Sequence, residues 1–384
     1  MDEMKNRSIL LDEESFGPLL PFIQDDAITD VDYNGRDLWL TDINKVKVKA
    51  DASLITPKFI EVFINKVSMA VEQQFNPANP ILEAESEELR ITAVHETVTS
   101  TGRAFCIRKA PAVPRYDADD LIRQGYCEEK VLALLINCVF TKMNFVICGD
   151  TGVGKTEFAK FLSGYIRAQD KVITIEDNPE WHYDKLNPGN DCIAIKVKKD
   201  KAKEGEKNNI TSMNYTNAIK TCLRLNPSWI MLSEARSKEA KSLLECWSTG
   251  VKGITTIHTD NVLKIPDRFM NMIQNSRDAD RMVNDIYDFI DIGILLRVKE
   301  MPDGTSRRYI DQMCFFDRDN EENNAYLLVD EGQMQDVAIP DSILRRMKRA
   351  GILDPYTHTY VLTDYPKRVF GETDKKQKGK GNLL

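Results

Sequence analysis

Apolar and polar positions follow two different rhythms along this chain. Up to about residue 110 the dominant pattern is alternation. Residues 28–33 and 37–41 read as strands joined through Asn34-Gly35, a dipeptide suited to a tight hairpin turn. Thr56-Pro57 opens a helix as cap and first-turn proline, with Phe59, Ile60, Phe63, Ile64 and Val67 on one face. Residues 89–97 and 104–109 return to strand-like alternation across Ser100-Thr101-Gly102. Ala110-Pro111-Ala112-Val113-Pro114 then interrupts the pattern as a connector that can hinge.

Beyond the connector the rhythm changes. Residues 117–125 and 128–142 have helical spacing and lead into Asn144-Phe145-Val146-Ile147-Cys148, a short run of the kind a buried parallel strand presents. Strand-like segments at 171–176, 229–235 and 253–258 then alternate with helical ones at 214–225 and 238–247, and the alternation continues to about residue 300. This predicts an α/β chain whose second domain has a predominantly parallel sheet with helices on both faces, preceded by a smaller α+β N-terminal domain. The expected boundaries are 1–110 for the first domain, 111–127 for a linker, 128–365 for the second domain with a C-terminal appendage, and 366–384 for a disordered basic tail.

Composition narrows the function classes. The chain has 384 residues, 42% of them hydrophobic and 29% charged, and a net charge of −8, which argues against a surface dedicated to coating nucleic acid and favours protein partners. The mixed-charge stretch 196–209 reads as a mobile surface loop, with a nucleic-acid contact as the sharper alternative. Eight cysteines without a C-x-x-C pair indicate neither a zinc clip nor a disulfide framework, so reduced, mostly buried thiols are expected. Residues 1–7 lack the apolar core of a signal peptide, and the run 131–140 is too short to span a bilayer. A cytoplasmic protein without a transmembrane segment is the expectation.

The sharpest chemical signal is Gly149-Asp150-Thr151-Gly152-Val153-Gly154-Lys155-Thr156, which fits G-x-x-x-x-G-K-[ST] between the apolar run and a helix-like run. Glycines in such a loop let backbone N–H groups turn toward phosphate oxygens. The following helix presents its unpaired N–H groups to the same anion. Lys155 is then placed to reach the β- and γ-phosphates of ATP, and Thr156 to hold Mg²⁺.

Three clusters follow in order. Glu176 and Asp177 close the strand-like segment 171–176, where α/β sheets bind ligands; they can serve Mg²⁺-bound water or be a solvated strand end before a turn. Glu234 and Arg236 follow another apolar strand. The carboxylate suits a base or water-positioning group, and the guanidinium can bind phosphate or lock the acid in a bidentate pair; a plain surface ion pair is the blander option. His258 ends a third strand, where it can bond a γ-phosphate or simply be a satisfied structural histidine, as expected for His95, His182 and His358.

With Thr-Ile-Glu-Asp-Asn-Pro-Glu (174–180), Leu-Arg-Leu-Asn-Pro-Ser-Trp-Ile-Met-Leu-Ser-Glu-Ala-Arg (223–236) and Gly-Ile-Thr-Thr-Ile-His-Thr-Asp (253–260) behind the phosphate loop, the chain resembles the secretion and pilus traffic ATPases. The segments look like that family's Walker A, Asp box, Walker B and His box, and the branch they most resemble is that of the type IV secretion (conjugation) ATPases. The resemblance implies a RecA-like P-loop motor domain, hydrolysis of ATP with Mg²⁺, and a homohexamer working with secretion-system subunits at the inner face of the cytoplasmic membrane. It assigns Glu234, Glu176, His258 and Arg236 to catalysis and adds Arg90 and Arg108 as phosphate ligands from the N-terminal domain. Direct nucleic-acid binding is not indicated. Ser233 stands where the family usually has glycine, Asn226-Pro227-Ser228 replaces its usual Asp-Pro-Asp, and the zinc-binding tetracysteine element of the type II branch is missing. Ser233 keeps open a nucleotide-gated scaffold with little turnover, beside a pilus-assembly or DNA-translocating ATPase.

Overall fold

The fold is described from a computed structural model, covering residues 13–43, 45–86, 88–197, 213–273, 279–302 and 305–358. The tail 366–384 and positions 198–209 of the mixed-charge stretch lie outside the described residues. The chain divides into two units, residues 1–112 with 300–307, and 113–299 with 308–384.

The first unit is built on a six-stranded sheet. Its strands are β1 (Ile28–Tyr33), β2 (Leu38–Asp42), β3 (Lys47–Ala50), β4 (Ile81–Glu85), β5 (Leu89–Val94) and β6 (Ala104–Lys109), in the spatial order β3-β2-β1-β6-β5-β4. Every neighbouring pair is antiparallel. The helix Pro57–Ala70 buries Ile60, Phe63, Ile64 and Val67, and the Thr56 hydroxyl accepts the Phe59 N–H at 3.1 Å as its cap. The expected strand 89–97 is shorter: it stops at Val94, and His95 caps a single turn, Glu96–Val98, by accepting the Thr97 N–H. Strands β3 and β4 escape the sequence pattern because β3 has little buried surface and β4 buries only Leu82 and Ala84.

The second unit contains a nine-stranded sheet: β7 (Phe145–Cys148), β8 (Val172–Glu176), β9 (Cys192–Lys196), β10 (Trp229–Leu232), β11 (Lys252–Ile257), β12 (Ile292–Glu300), β13 (Ser306–Asp319), β14 (Glu322–Asp330) and β15 (Gln333–Met334). The order is β15-β14-β13-β12-β7-β11-β10-β8-β9. From β12 to β9 all neighbours run parallel, whereas β13, β14 and β15 pair antiparallel, so the sheet is mixed. Fully buried side chains alternate along β7: Phe145 and Ile147 join a core with Leu132, Phe158 and Met347, while Val146 and Cys148 join another with Ile219, Leu243 and Phe269. Two cores on opposite faces explain why β7 is apolar at every position instead of alternating.

The central strands are tied together at the end of β7 opposite the phosphate loop. Asn144 donates its N–H to Asp291 Oδ2 at 2.7 Å and its side-chain amide to Phe289 O at 2.7 Å, and its Oδ1 accepts the Gly253 N–H at 2.9 Å. Arg346, on the helix Asp341–Arg349, pairs with Asp291 and donates to Lys142 O. All eight cysteines are free thiols, five of them buried.

Candidate functional site

The 149–156 loop leaves the C-terminal end of β7, between β11 and β12. Gly149 has φ +138°, and a Cβ there would fall 2.5 Å from Leu296 O on β12, so the loop can leave the sheet this closely only without a side chain. Gly154, at φ +94°, starts the helix Lys155–Ser163. Val153 plugs into the core while Asp150 and Thr151 stay exposed.

Lys155 is buried, and its ammonium donates to the loop's own carbonyls, Gly149 O at 2.8 Å and Asp150 O at 2.9 Å. Burial pushes its pKa down from the ordinary lysine value, with the Glu234 charge pulling the other way. The ammonium also lies 3.4 Å from His258 Nδ1. On the other side of the ring, His258 Nε2 meets Glu234 Oε1 at 3.2 Å. Arg236 donates to Glu234 Oε2 at 2.8 Å and reaches Asp177 Oδ2 at 3.5 Å. Lys155, His258, Glu234, Arg236 and Asp177 thus form one continuous set, and Glu234 raises the Arg236 pKa further. Of the sequence alternatives for Arg236, the contact observed is with the acid.

Backbone pairing explains the convergence. Thr256 donates its hydroxyl to Ser233 O at 2.7 Å and its carbonyl accepts the Ala235 N–H at 2.9 Å, while the Ser233 N–H donates to Ile175 O at 3.1 Å. The ends of β8, β10 and β11 are therefore stitched side by side, and the residues that follow them share one edge.

Several participants carried no sequence signal. Tyr215 accepts the Asp177 N–H at 3.0 Å on its hydroxyl, which also lies 3.3 Å from Ser233 Oγ. The side chain that replaces the family glycine therefore has a partner. Buried Glu239 accepts the N–H groups of Arg236 at 2.6 Å and Ser237 at 2.8 Å, shaping the turn that presents the guanidinium. Neither could be read from a motif, since each matters through a partner brought close by the fold.

Glu176 takes a different position from the one its strand-end location suggests. Its carboxyl is buried and accepts the N–H groups of Glu180 at 3.0 Å and Trp181 at 3.1 Å, so it organises the turn after β8 and stays outside the Lys155–His258–Glu234 set. Burial pushes its pKa up to about 8. In the first unit, Arg90 and Arg108 are direct cross-strand partners on β5 and β6; Arg108 donates to Asp30 Oδ1 at 2.8 Å, and Arg90 lies 3.9 Å from Glu85 Oε1.

Thr156, half-buried, is the second residue of the helix after the loop. Among the described residues no group of three or more His, Cys, Asp or Glu could hold a metal ion by itself. Among the described residues no helix is long and apolar enough to cross a membrane.

Known proteins resemble this chain in sequence and in fold. Residues 81–290 match the family model described as type II/IV secretion system protein. The chain is 29% identical over 273 residues to an uncharacterised protein of Bacillus anthracis, covering 70% of this chain and 59% of that one. It is 28% identical over 218 residues to the conjugal transfer protein TrbB of Rhizobium radiobacter, covering 55% of this chain and 62% of TrbB. It thus spans roughly three-fifths of the length of each of these relatives. The crystal structure of the Legionella pneumophila ATPase DotB superposes with a TM-score of 0.56 at 16% identity, over 82% of this chain and 83% of DotB, a likeness of fold. With more than half of its length inside the matched model, the chain belongs to the type II/IV secretion system protein family.

Proposed function

We propose that this chain is a Mg²⁺-dependent ATPase with a RecA-like nucleotide domain, supplying work to a type IV secretion or conjugation machine as a hexamer at the cytoplasmic face of the inner membrane. The observation that carries the reading is the bridge from Lys155 through His258 to Glu234 at the mouth of a phosphate-loop motif. The family match and a relative named for conjugal transfer support the choice of machine.

Bound ATP would take the Lys155 ammonium from the carbonyls of Gly149 and Asp150 and replace them with β- and γ-phosphate oxygens. The N–H groups of the 149–156 loop orient the phosphates. Thr156 would hold Mg²⁺ beside the phosphates, and the ion would supply neutralisation of charge on their oxygens. Glu234 orients the attacking water and accepts its proton, with Arg236 fixing the rotamer of the carboxylate. His258 touches both Glu234 and Lys155, so it reports at one group what happens at the other. Glu176 holds the turn that carries Asp177 against Arg236. Arg90 and Arg108 are assigned to charge stabilisation during phosphoryl transfer, by resemblance to the family.

The test is phosphate release from Mg-ATP by the full chain, beside the particle mass with and without nucleotide. Hydrolysis lost in both Lys155→Ala and Glu234→Gln, with a sixfold particle, supports the reading. Unchanged hydrolysis in either variant defeats the mechanism, and binding without turnover by the parent would make the chain a nucleotide-gated scaffold.

A further inference from the structure

Arg308, near the start of β13, lies against the phosphate loop within the second unit. A Cβ at Gly154 would fall 3.2 Å from Arg308 Cδ, 3.3 Å from its Nε and 3.8 Å from the Tyr116 hydroxyl oxygen. The arginine stem therefore crosses the turn from which the helix Lys155–Ser163 begins.

That placement is unfavourable unless something negative lies beside it. A helix N-terminus carries partial positive charge and disfavours a neighbouring cation. Lys155 adds a second positive group in the same loop. Arg308 Nε is buried and meets no acceptor, an arrangement that costs the desolvation of a charged donor. The acid of the first helical turn does not relieve it, since Glu157 is taken by Lys160 at 2.8 Å and faces Arg115 at 3.9 Å.

Tyr116 keeps the arginine in this position. Its ring packs on Tyr126 with centroids 5.7 Å apart, and Tyr126 stacks on Phe158 of the phosphate-loop helix at 5.2 Å. Its hydroxyl faces the Arg308 guanidinium beside the Gly154 turn. Burial raises the Tyr116 pKa, so the phenol stays neutral, and toward Arg308, which has donors only, its oxygen serves as the acceptor.

We infer that Arg308 is a phosphate ligand for the bound nucleotide, delivered by β13 and held over the Gly154 turn by Tyr116. The inference rests on the nucleotide reading above. An anion on the loop would give the orphaned N–H its acceptor and offset the repulsion between the guanidinium and the helix end, and the arginine fork matches phosphate oxygens.

Equilibrium titration of the full chain with Mg-ATP and with inorganic tripolyphosphate tests this, using Arg308→Gln, Arg308→Lys and the parent. Arg308→Gln should weaken both ligands roughly ten- to a hundredfold, the range for losing a charge-assisted hydrogen bond. Arg308→Lys should recover part of the loss, and the ligand-free melting temperature should not fall. Unchanged affinities overturn the assignment. So does a loss confined to ATP, which would mean a sugar or base contact, or a loss matched by a lower ligand-free melting temperature, which would mean a structural role. A parent that binds neither ligand defeats the nucleotide reading itself, a result distinct from a parent that binds and a variant that binds equally well.

Discussion

His258 presents Nε2 to Glu234 Oε1 at 3.2 Å and Nδ1 to the buried ammonium of Lys155 at 3.4 Å, so the imidazole links the two groups. Removing the ring should uncouple the two groups without emptying the phosphate loop. His258→Ala is expected to lower ATP turnover roughly ten- to a hundredfold, within the usual range for a positioned side chain acting at the transition state, while nucleotide affinity changes less than about threefold. Phosphate release and a binding titration on the same preparation check the split.

Ser233 and Tyr215 form the contact that a glycine at 233 could not make. Tyr215→Phe deprives both the Asp177 N–H and the Ser233 hydroxyl of a partner, so a loss of roughly 1–3 kcal/mol is expected in denaturant unfolding. Ser233→Ala combined with Tyr215→Phe should cost less than the sum of the single changes. Additive costs would mean that the two hydroxyls do not interact.

Glu176 should make stability pH-dependent. Its carboxyl titrates at about 8 in the folded chain against an ordinary value of 4.5, because burial outweighs the two N–H donors that favour its charged form. Between those values the folded protein keeps a proton that the unfolded chain releases. Stability is therefore lost as pH rises through this window. In Glu176→Gln the pH profile of the melting temperature should be flatter and its value near pH 8 higher than the parent's.

Gly253 is closed in on both sides. A Cβ at this position would run into Trp247 Nε1 and fall 2.7 Å from Ile230 O. Gly253→Ala should therefore destabilise by roughly 1–3 kcal/mol, the usual cost of overpacking a filled core. Thermal unfolding beside an exposed Ser248→Ala control on the adjoining helix checks this.

The strand–turn–helix around 149–156 was legible in the sequence because eight consecutive residues fit one motif between an apolar run and a helical one, and the strands before Glu234 and His258 because apolar runs point to them. The β13–β15 extension was not. Its strands carry many half-exposed polar residues, as in Glu322-Asn323-Asn324, so neither a buried-strand run nor a regular alternation marks them. The role of Glu176 was hidden for another reason: a strand-end acid and a turn cap look identical until the N–H groups of Glu180 and Trp181 are seen to converge on it. Arg308 and Tyr116 lie far from the loop in sequence and meet it only through the fold.

The Arg346–Asp291 pair sets a lower limit on how far this protein can be trimmed from its C-terminal side. Cutting ahead of Asp341 would strip Asp291 of its cation and expose the core seats of Ile343 and Met347, while Asn137 would lose the Pro355 and Thr357 carbonyls that receive its amide. An autonomous fragment of the second unit must therefore extend to about residue 357, because a stretch that looks dispensable in sequence is the keel of the sheet.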